Sequence, residues 1–423
     1  MRATEDNNSQ TVSMEDIVRA HHVLRDVIVR TPLQRDATLS EKYECEVYLK
    51  REDMQVVRSF KIRGAYNRIR NLSSDELANG IVCASAGNHA QGFAFSCRQL
   101  NIRGKVYMPS TTPNQKVKMV KKFGGANVEV ILVGDTFDDA YAEAMKTCEQ
   151  YNMSFIHPFD DPYIIAGNGT VGMEIMESLD RPADYVFITI GGGGLAAGVG
   201  QYMRTISPST RLIGVEPLGA ASMSEAISRN QVVTLEEIDK FIDGAAVKRV
   251  GQLTYEICRE TLDDVIRVPE GKACSAILDL YNENAIVAEP AGALPIAALD
   301  MYREHIKGKT IVCIISGGNN DIDRMQEIKE RSLIYEGLKY YFTINFPQRA
   351  GALREFLEKV LGPNDDIARF EYTKKSNKEN GPALVGIELS SPDDYGALIQ
   401  RMEDHNIQYV ELNRDPNLFN LLI

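Results

Sequence analysis

Three segments of this chain repeat one grammar: a continuous apolar run, a glycine-bearing loop, then a stretch able to form a helix. The first is Ile81-Val82-Cys83-Ala84 followed by Ser85-Ala86-Gly87-Asn88-His89. The second is Tyr185-Val186-Phe187-Ile188-Thr189-Ile190 followed by Gly191-Gly192-Gly193-Gly194-Leu195. The third is Thr310-Ile311-Val312-Cys313-Ile314-Ile315 followed by Ser316-Gly317-Gly318-Asn319-Asn320. Short runs without polar alternation suit strands covered on both faces, the condition of a parallel sheet packed between helices. Open sheets of that kind bind ligands beyond the carboxyl ends of their strands, so the three loops are expected at one rim. Further apolar runs at residues 47–50, 105–108, 128–133, 212–215 and 265–268 alternate with helix-compatible stretches at 135–151, 161–179 and 274–283. This alternation predicts a doubly wound α/β architecture over residues 14–325.

Four successive residues without Cβ let backbone N–H groups converge on an anion, and a following helix adds its positive N-terminal end. The loop at Gly191 lacks the Gly-Lys-Ser/Thr of a nucleotide P-loop. Ala196 stands where a dinucleotide fingerprint has its third glycine, which weakens that reading without removing it. A tight turn is the plainer alternative.

Upstream, Ser59-Phe60-Lys61-Ile62-Arg63-Gly64-Ala65 sets a lysine between an aromatic residue and a small-residue turn, with a helix expected from Ala65. An amine that attacks a carbonyl must be neutral, and burial or nearby positive charge lowers its pKa. Phe60 supplies burial, and Arg58 and Arg63 lie close in sequence. A surface lysine at a helix start is the bland alternative.

In their order and spacing, these four elements resemble the pyridoxal-phosphate enzymes of the tryptophan-synthase-β fold type (PLP fold type II), and within them the serine/threonine dehydratases. The resemblance covers roughly residues 14–330 and continues into the C-terminal segment. It implies pyridoxal 5'-phosphate carried by Lys61 with Phe60 beside it, Asn88 at the ring hydroxyl, Gly191, Gly192, Gly193, Gly194 and Leu195 around the phosphate, and Ser316 facing the pyridine nitrogen. Ser85, Ala86, Gly87, Asn88 and His89 would hold the substrate carboxylate, although His89 reads equally as a loop-orienting residue. Glu289, in Glu289-Pro290-Ala291-Gly292-Ala293, and Gly244 resemble positions flanking the cofactor. An acid and a proline opening a helix explain the former as well. A smaller subdomain at residues 53–158 is expected to close over the cofactor and exclude water.

A carboxylate at the pyridine nitrogen would keep the ring a full electron sink. The neutral hydroxyl of Ser316 makes a weaker one, which favours prompt β-elimination over transamination. Lys61 is then the base for the Cα proton. Serine racemases have a serine directly before the glycine of the asparagine loop; here it is Ala86, which carries no proton. Some relatives bind a divalent cation through an acidic cluster after a Glu-Pro pair. Glu216-Pro217 is followed by Leu218-Gly219-Ala220-Ala221-Ser222, so no metal is expected.

Charge thickens after Asp321, marking a helical linker at residues 326–336, and a separate module is expected over 337–423. Strand signals at 338–345, 367–373, 383–389 and 408–412 enclose helix signals at 350–361 and 392–405, with a polar loop at 374–381. This βαββαβ order suits a ferredoxin-like sandwich. Phe346-Pro347-Gln348-Arg349-Ala350-Gly351-Ala352-Leu353 resembles the first strand-to-helix corner of ACT-like domains in biosynthetic threonine dehydratases, many of which have Pro where Ala350 stands. The resemblance implies conversion of L-threonine, with L-serine as an alternative substrate, to 2-oxobutyrate and ammonia. It further implies L-isoleucine as inhibitor, L-valine as its opponent, Arg349 and Gly351 as effector residues, and a homodimer or homotetramer. Three other readings stand beside it: a degradative dehydratase answering to nucleotide, a non-catalytic amino-acid sensor, and a C-terminal module that serves only oligomerisation.

At 423 residues and 44% apolar the chain has room for two or more domains. A formal charge of −12 argues against nucleic acid or an anionic membrane as main partners. Lys116, Lys118, Lys121 and Lys122 read as a solvated helix face. Seven scattered cysteines without C-x-x-C spacing suit free thiols in a reducing compartment. With no apolar leader or membrane-length run, the expectation is a cytoplasmic protein with a flexible tail at residues 1–13.

Overall fold

The computed structural model describes residues 12–372 and 379–415, so most of the expected N-terminal tail and of the polar loop at 374–381 lies outside the described residues. The chain divides into two compact units, Met1–Asp321 and Ile322–Ile423. Ten strands belong to the first: β1 Leu33–Asp36, β2 Glu46–Arg51, β3 Ile81–Ala84, β4 Gly104–Met108, β5 Val128–Leu132, β6 Ser154–Phe155, β7 Tyr185–Thr189, β8 Arg211–Pro217, β9 Asp264–Val268 and β10 Thr310–Ile315. They form two sheets, ordered β1-β2-β10-β7-β8-β9 and β5-β4-β3-β6. All pairings are parallel except that of the edge strand β1 with β2. The apolar runs are the centres of these sheets because every residue of β3, β7 and β10 is buried. The sequence reasoning missed β1 and β6. β1 is polar and half exposed, and β6 has only two residues, so neither has an apolar signature.

Two expectations need correction. Lys61 is the first residue of helix Lys61–Arg70, and the helix does not wait for Ala65. Gly64 lies inside it, where a Cβ would come within 2.9 Å of the Ile164 carbonyl. The missing side chain serves close packing on helix Pro162–Ser178, not a turn. At the N-terminus, Val12 is buried, and Ser13 caps helix Met14–Leu24 through a reciprocal bond with Asp16. Those two residues belong to the fold and not to a tail.

The second unit opens with a 3-10 turn at Ile322–Arg324 and then helix Met325–Tyr335, in the region expected as a linker, with Ile328 and Ser332 buried. Strands β11 Lys339–Pro347, β12 Asp366–Tyr372, β13 Asn380–Glu388 and β14 Tyr409–Glu411 follow. They form an antiparallel sheet ordered β12-β13-β11-β14, the ferredoxin-like arrangement, with Phe342, Ile344, Phe356, Val385, Leu398 and Met402 in the core. Lys339 ties the sheet to the leading helix by an ion pair to Glu330 at 2.8 Å and pairs across the sheet with Glu388 at 3.1 Å. The first helix of the sandwich starts at Ala352, after Gly351 at φ +84°, and Arg349 reaches past it to pair with Glu355.

Candidate active site

The loops after β3, β7 and β10 meet the start of helix Lys61–Arg70. The Lys61 Nζ donates to the Pro158 carbonyl at 2.9 Å and lies 5.3 Å from the centre of the Phe60 ring. Burial pushes its pKa down to about 8, with the Glu289 carboxylate opposing. The expected help from Arg58 and Arg63 is absent. All five N–H donors of Arg63 are committed elsewhere, to Glu52, Glu174 and Thr170.

Helix Asn88–Leu100 opens directly after Gly87, so the amides of residues 88 and 89 open a positive helix end. Ser85 Oγ accepts the Gly87 N–H at 3.2 Å, and the space where a Gly87 side chain would stand is open. Asn88 is held at both ends of its amide. Its Nδ2 donates to Glu289 Oε1 at 2.6 Å, and its Oδ1 accepts from Asn319 Nδ2 at 2.7 Å. Asn319 is anchored in turn on the Val57 carbonyl at 2.9 Å. Glu289 is buried, and burial together with Asp243 raises its pKa to about 7. Gly317 and Gly244 border this carboxyl: a Cβ on Gly317 would fall 2.4 Å from Oε1, and one on Gly244 would fall 3.5 Å away. The His89 ring turns towards the β6 end, with Nε2 at 3.1 Å from the Ile156 carbonyl and Nδ1 without a partner. Burial pushes its pKa down to about 3, so it is a neutral prop of the loop.

The tetraglycine run carries the largest set of free donors. None of the amides from Gly191 to Ala196 donates to a protein acceptor among the described residues, whereas Ala197 already bonds to the Gly193 carbonyl. Gly193 has φ +92° and opens helix Gly194–Ile206. The loop is braced from behind: Thr254 Oγ1 donates to the Gly192 carbonyl at 2.7 Å, and the Phe159 ring occupies the place of a Gly192 side chain. Ser316 is buried, its carbonyl accepting the Phe60 N–H at 3.1 Å, and Gly317 bridges to Ser59. Ser59 Oγ is buried without a partner.

Two other sequence features find different employment. Glu216 accepts the N–H groups of Met223 at 2.7 Å and Ser224 at 2.8 Å and the Ser224 hydroxyl at 2.8 Å, so it caps a helix. Lys116 does not lie on a wholly solvated face, for its Nζ pairs with Asp243 at 2.5 Å. Sequence reasoning missed Asn319, Pro158, Phe159, Asp160 and Thr254. Only Asn319 sat in a motif already singled out; Pro158 acts through its carbonyl and Phe159 through packing, while the Asp160 carboxylate and Thr254 hydroxyl act on partners far away in sequence.

Residues 24–317 match the family described as pyridoxal-phosphate dependent enzyme. The chain belongs to that family. Residues 330–422 match the C-terminal regulatory domain of threonine dehydratase. Two curated proteins named L-threonine dehydratase biosynthetic IlvA resemble the chain over almost its whole length. That of Bacillus subtilis is 60% identical, covering 97% of this chain and 98% of the relative. That of Halalkalibacterium halodurans is 61% identical, covering 97% and 99%. Among solved structures, the processed form of threonine deaminase isoform 2 from Solanum lycopersicum matches with TM-score 0.71 and 40% identity, over 76% of this chain and 95% of that one. Maize serine racemase matches with TM-score 0.71 and 28% identity, over 77% and 99%. Within its family the chain therefore stands with the threonine dehydratases that carry a regulatory domain. The site suits the cofactor: a run of free amides for a phosphate, a low-pKa amine for an aldehyde, and an anchored amide for a ring hydroxyl.

Proposed function

We propose that this enzyme eliminates water from L-threonine to an enamine, whose imine tautomer takes up water and releases 2-oxobutyrate and ammonia as the first step towards isoleucine; L-serine is an alternative substrate, giving the three-carbon 2-oxo acid. The observation that carries the reading is the enclosed Lys61 amine, held at a pKa of about 8 beside six free amides and the anchored Asn88. Lys61 would hold pyridoxal phosphate against Phe60. Gly191 to Leu195 would take its phosphate, Asn88 its ring hydroxyl, and Ser316 its pyridine nitrogen, with Gly244 and Glu289 alongside. When bound, that group supplies the electron sink that acidifies the substrate Cα–H. Lys61 Nζ, whose neutral form burial favours, takes that proton. Ser85, the amides of residues 86–89 and the positive end of helix Asn88–Leu100 orient the substrate carboxylate, while His89 keeps the loop in place. Ala86 leaves the opposite face without a proton carrier, which favours elimination over racemisation.

Residues 14–325 form the catalytic part in this reading, with the smaller subdomain at 53–158, and residues 337–423 the regulatory part. L-isoleucine inhibits through it and L-valine opposes, with Arg349 and Gly351 at the effector site of a dimer or tetramer in the cytoplasm. No helix among the described residues is long and apolar enough to cross a membrane. The test is 2-oxobutyrate release from L-threonine with and without L-isoleucine. Turnover suppressed by isoleucine is the expected result. Turnover indifferent to isoleucine would retain the dehydratase and refute the feedback role.

A further inference from the structure

The four residues 157–160 touch three parts of the site at once, although no chemistry has been assigned to them. Pro158 offers its carbonyl to the Lys61 amine at 2.9 Å. The Phe159 ring fills the place of a side chain at Gly192, and its Cβ lies 3.0 Å from where a Gly194 Cβ would be. Asp160 accepts the Gln252 N–H at 3.0 Å and the Thr254 N–H at 3.1 Å. It thereby caps helix Gln252–Thr261, whose Thr254 holds the Gly192 carbonyl. The turn itself is closed by one atom. His157 Nδ1 accepts the Phe159 N–H at 3.2 Å and the Asp160 N–H at 2.7 Å, and the two rings meet edge to face at 4.7 Å.

We propose that His157 is a positioning residue of the site, whose Nδ1 lone pair holds the turn that keeps the Lys61 amine and the glycine loop in one register. Two N–H donors can share Nδ1 only while it carries no proton, so the ring is neutral with its hydrogen on Nε2. Burial and the nearby Lys61 favour that neutral form, against the opposing pull of Asp160. His157 in turn helps keep the buried His89 ring neutral. The proposal rests on Lys61 being the reacting amine.

Asparagine places a carbonyl oxygen where Nδ1 stands, whereas glutamine places it one bond too far and leucine removes it. In the apoenzyme, the pH dependence of Lys61 labelling by an amine reagent, mapped by mass spectrometry, reads the amine directly. In wild type its midpoint should lie near 8. His157→Leu should move the midpoint up towards an ordinary lysine, weaken pyridoxal-phosphate retention in dialysis, and lower kcat on the order of a hundredfold through misplacement of the amine. His157→Asn should recover all three, and His157→Gln should not. If the leucine variant does not fold, the asparagine and glutamine variants alone decide, since they differ only in where the acceptor sits. An unchanged Lys61 midpoint and cofactor retention in His157→Leu, or equal impairment of the asparagine and glutamine variants, would overturn the proposal. Absence of threonine turnover in wild type would instead defeat the dehydratase reading and leave the labelling result interpretable.

Discussion

Two groups of buried charges share helix Lys61–Arg70 and end in opposite states. On one side of it Lys50, Glu52, Arg63 and Glu174 form a fully buried quartet. Arg63 grips Glu52 and Glu174, each at 2.7 Å, and Lys50 reaches Glu174 at 2.5 Å and the Thr31 carbonyl at 2.7 Å. Two positive groups face two negative ones, and Arg63 has no unused donor. The pairing keeps Glu52 below the usual carboxylate range and Arg63 charged despite burial. Two residues earlier, Lys61 meets a single carbonyl, and the nearby carboxylate of Glu289 is itself drawn up to about 7. Burial that is matched charge for charge builds structure. Burial left unmatched brings two groups close to neutrality, where a proton can move.

This contrast is open to direct attack. Lys61→Ala should abolish 2-oxobutyrate formation, by at least about ten-thousandfold, and prevent borohydride from fixing the cofactor to the protein. Its stability should move by only about 1 kcal/mol, the worth of the single bond to the Pro158 carbonyl. Residual turnover near wild type would remove Lys61 from the chemistry. Arg63→Met should do the reverse within two residues of the same helix. It strands Glu52 and Glu174 and should lower unfolding free energy by about 3–5 kcal/mol in urea titrations. If the quartet proved replaceable without loss, its four charges would have no structural claim.

The last test is a pH dependence. Glu289 titrates near 7 in the fold and near its ordinary 4.5 when unfolded. Between those values the folded state binds more protons, so this group's contribution to stability falls as pH rises from 4.5 to 7. Gln at that position does not titrate and still accepts from Asn88. The melting temperature of Glu289→Gln relative to wild type should therefore climb across that window and level off above it. A difference that stays constant from pH 4.5 to 8 would mean that Glu289 is ionised throughout.

Much of the fold could be read in advance because parallel strands buried on both faces leave runs such as 310–315 with no alternative but the interior. The same holds for the three loops, since glycine and asparagine at strand ends announce backbone that must stay uncovered. The ferredoxin-like order was legible from alternation alone. The start of the lysine helix was misjudged because Gly64 signals either a turn or a close helix contact, and only the neighbouring helix at Ile164 distinguishes them. Arg63 was misjudged for a related reason: adjacency in sequence says nothing about which way a helical side chain points.

The chain's own sequence determined the strands, the glycine cradle, the presence of Lys61 and Asn88, and the character of both units, because these depend on residue type and local periodicity. Tertiary structure alone decided that Lys61 is enclosed, that Arg63 serves a quartet, and that Asn319 and Glu289 clamp Asn88. It also decided that the turn at His157 joins the amine to the glycine loop. Each of these depends on partners between 11 and 231 residues apart in sequence being brought together, from the fully buried Arg63 quartet to the half-buried Lys61 and Asn88. There the worth of a charge is set by what faces it, which no local pattern records.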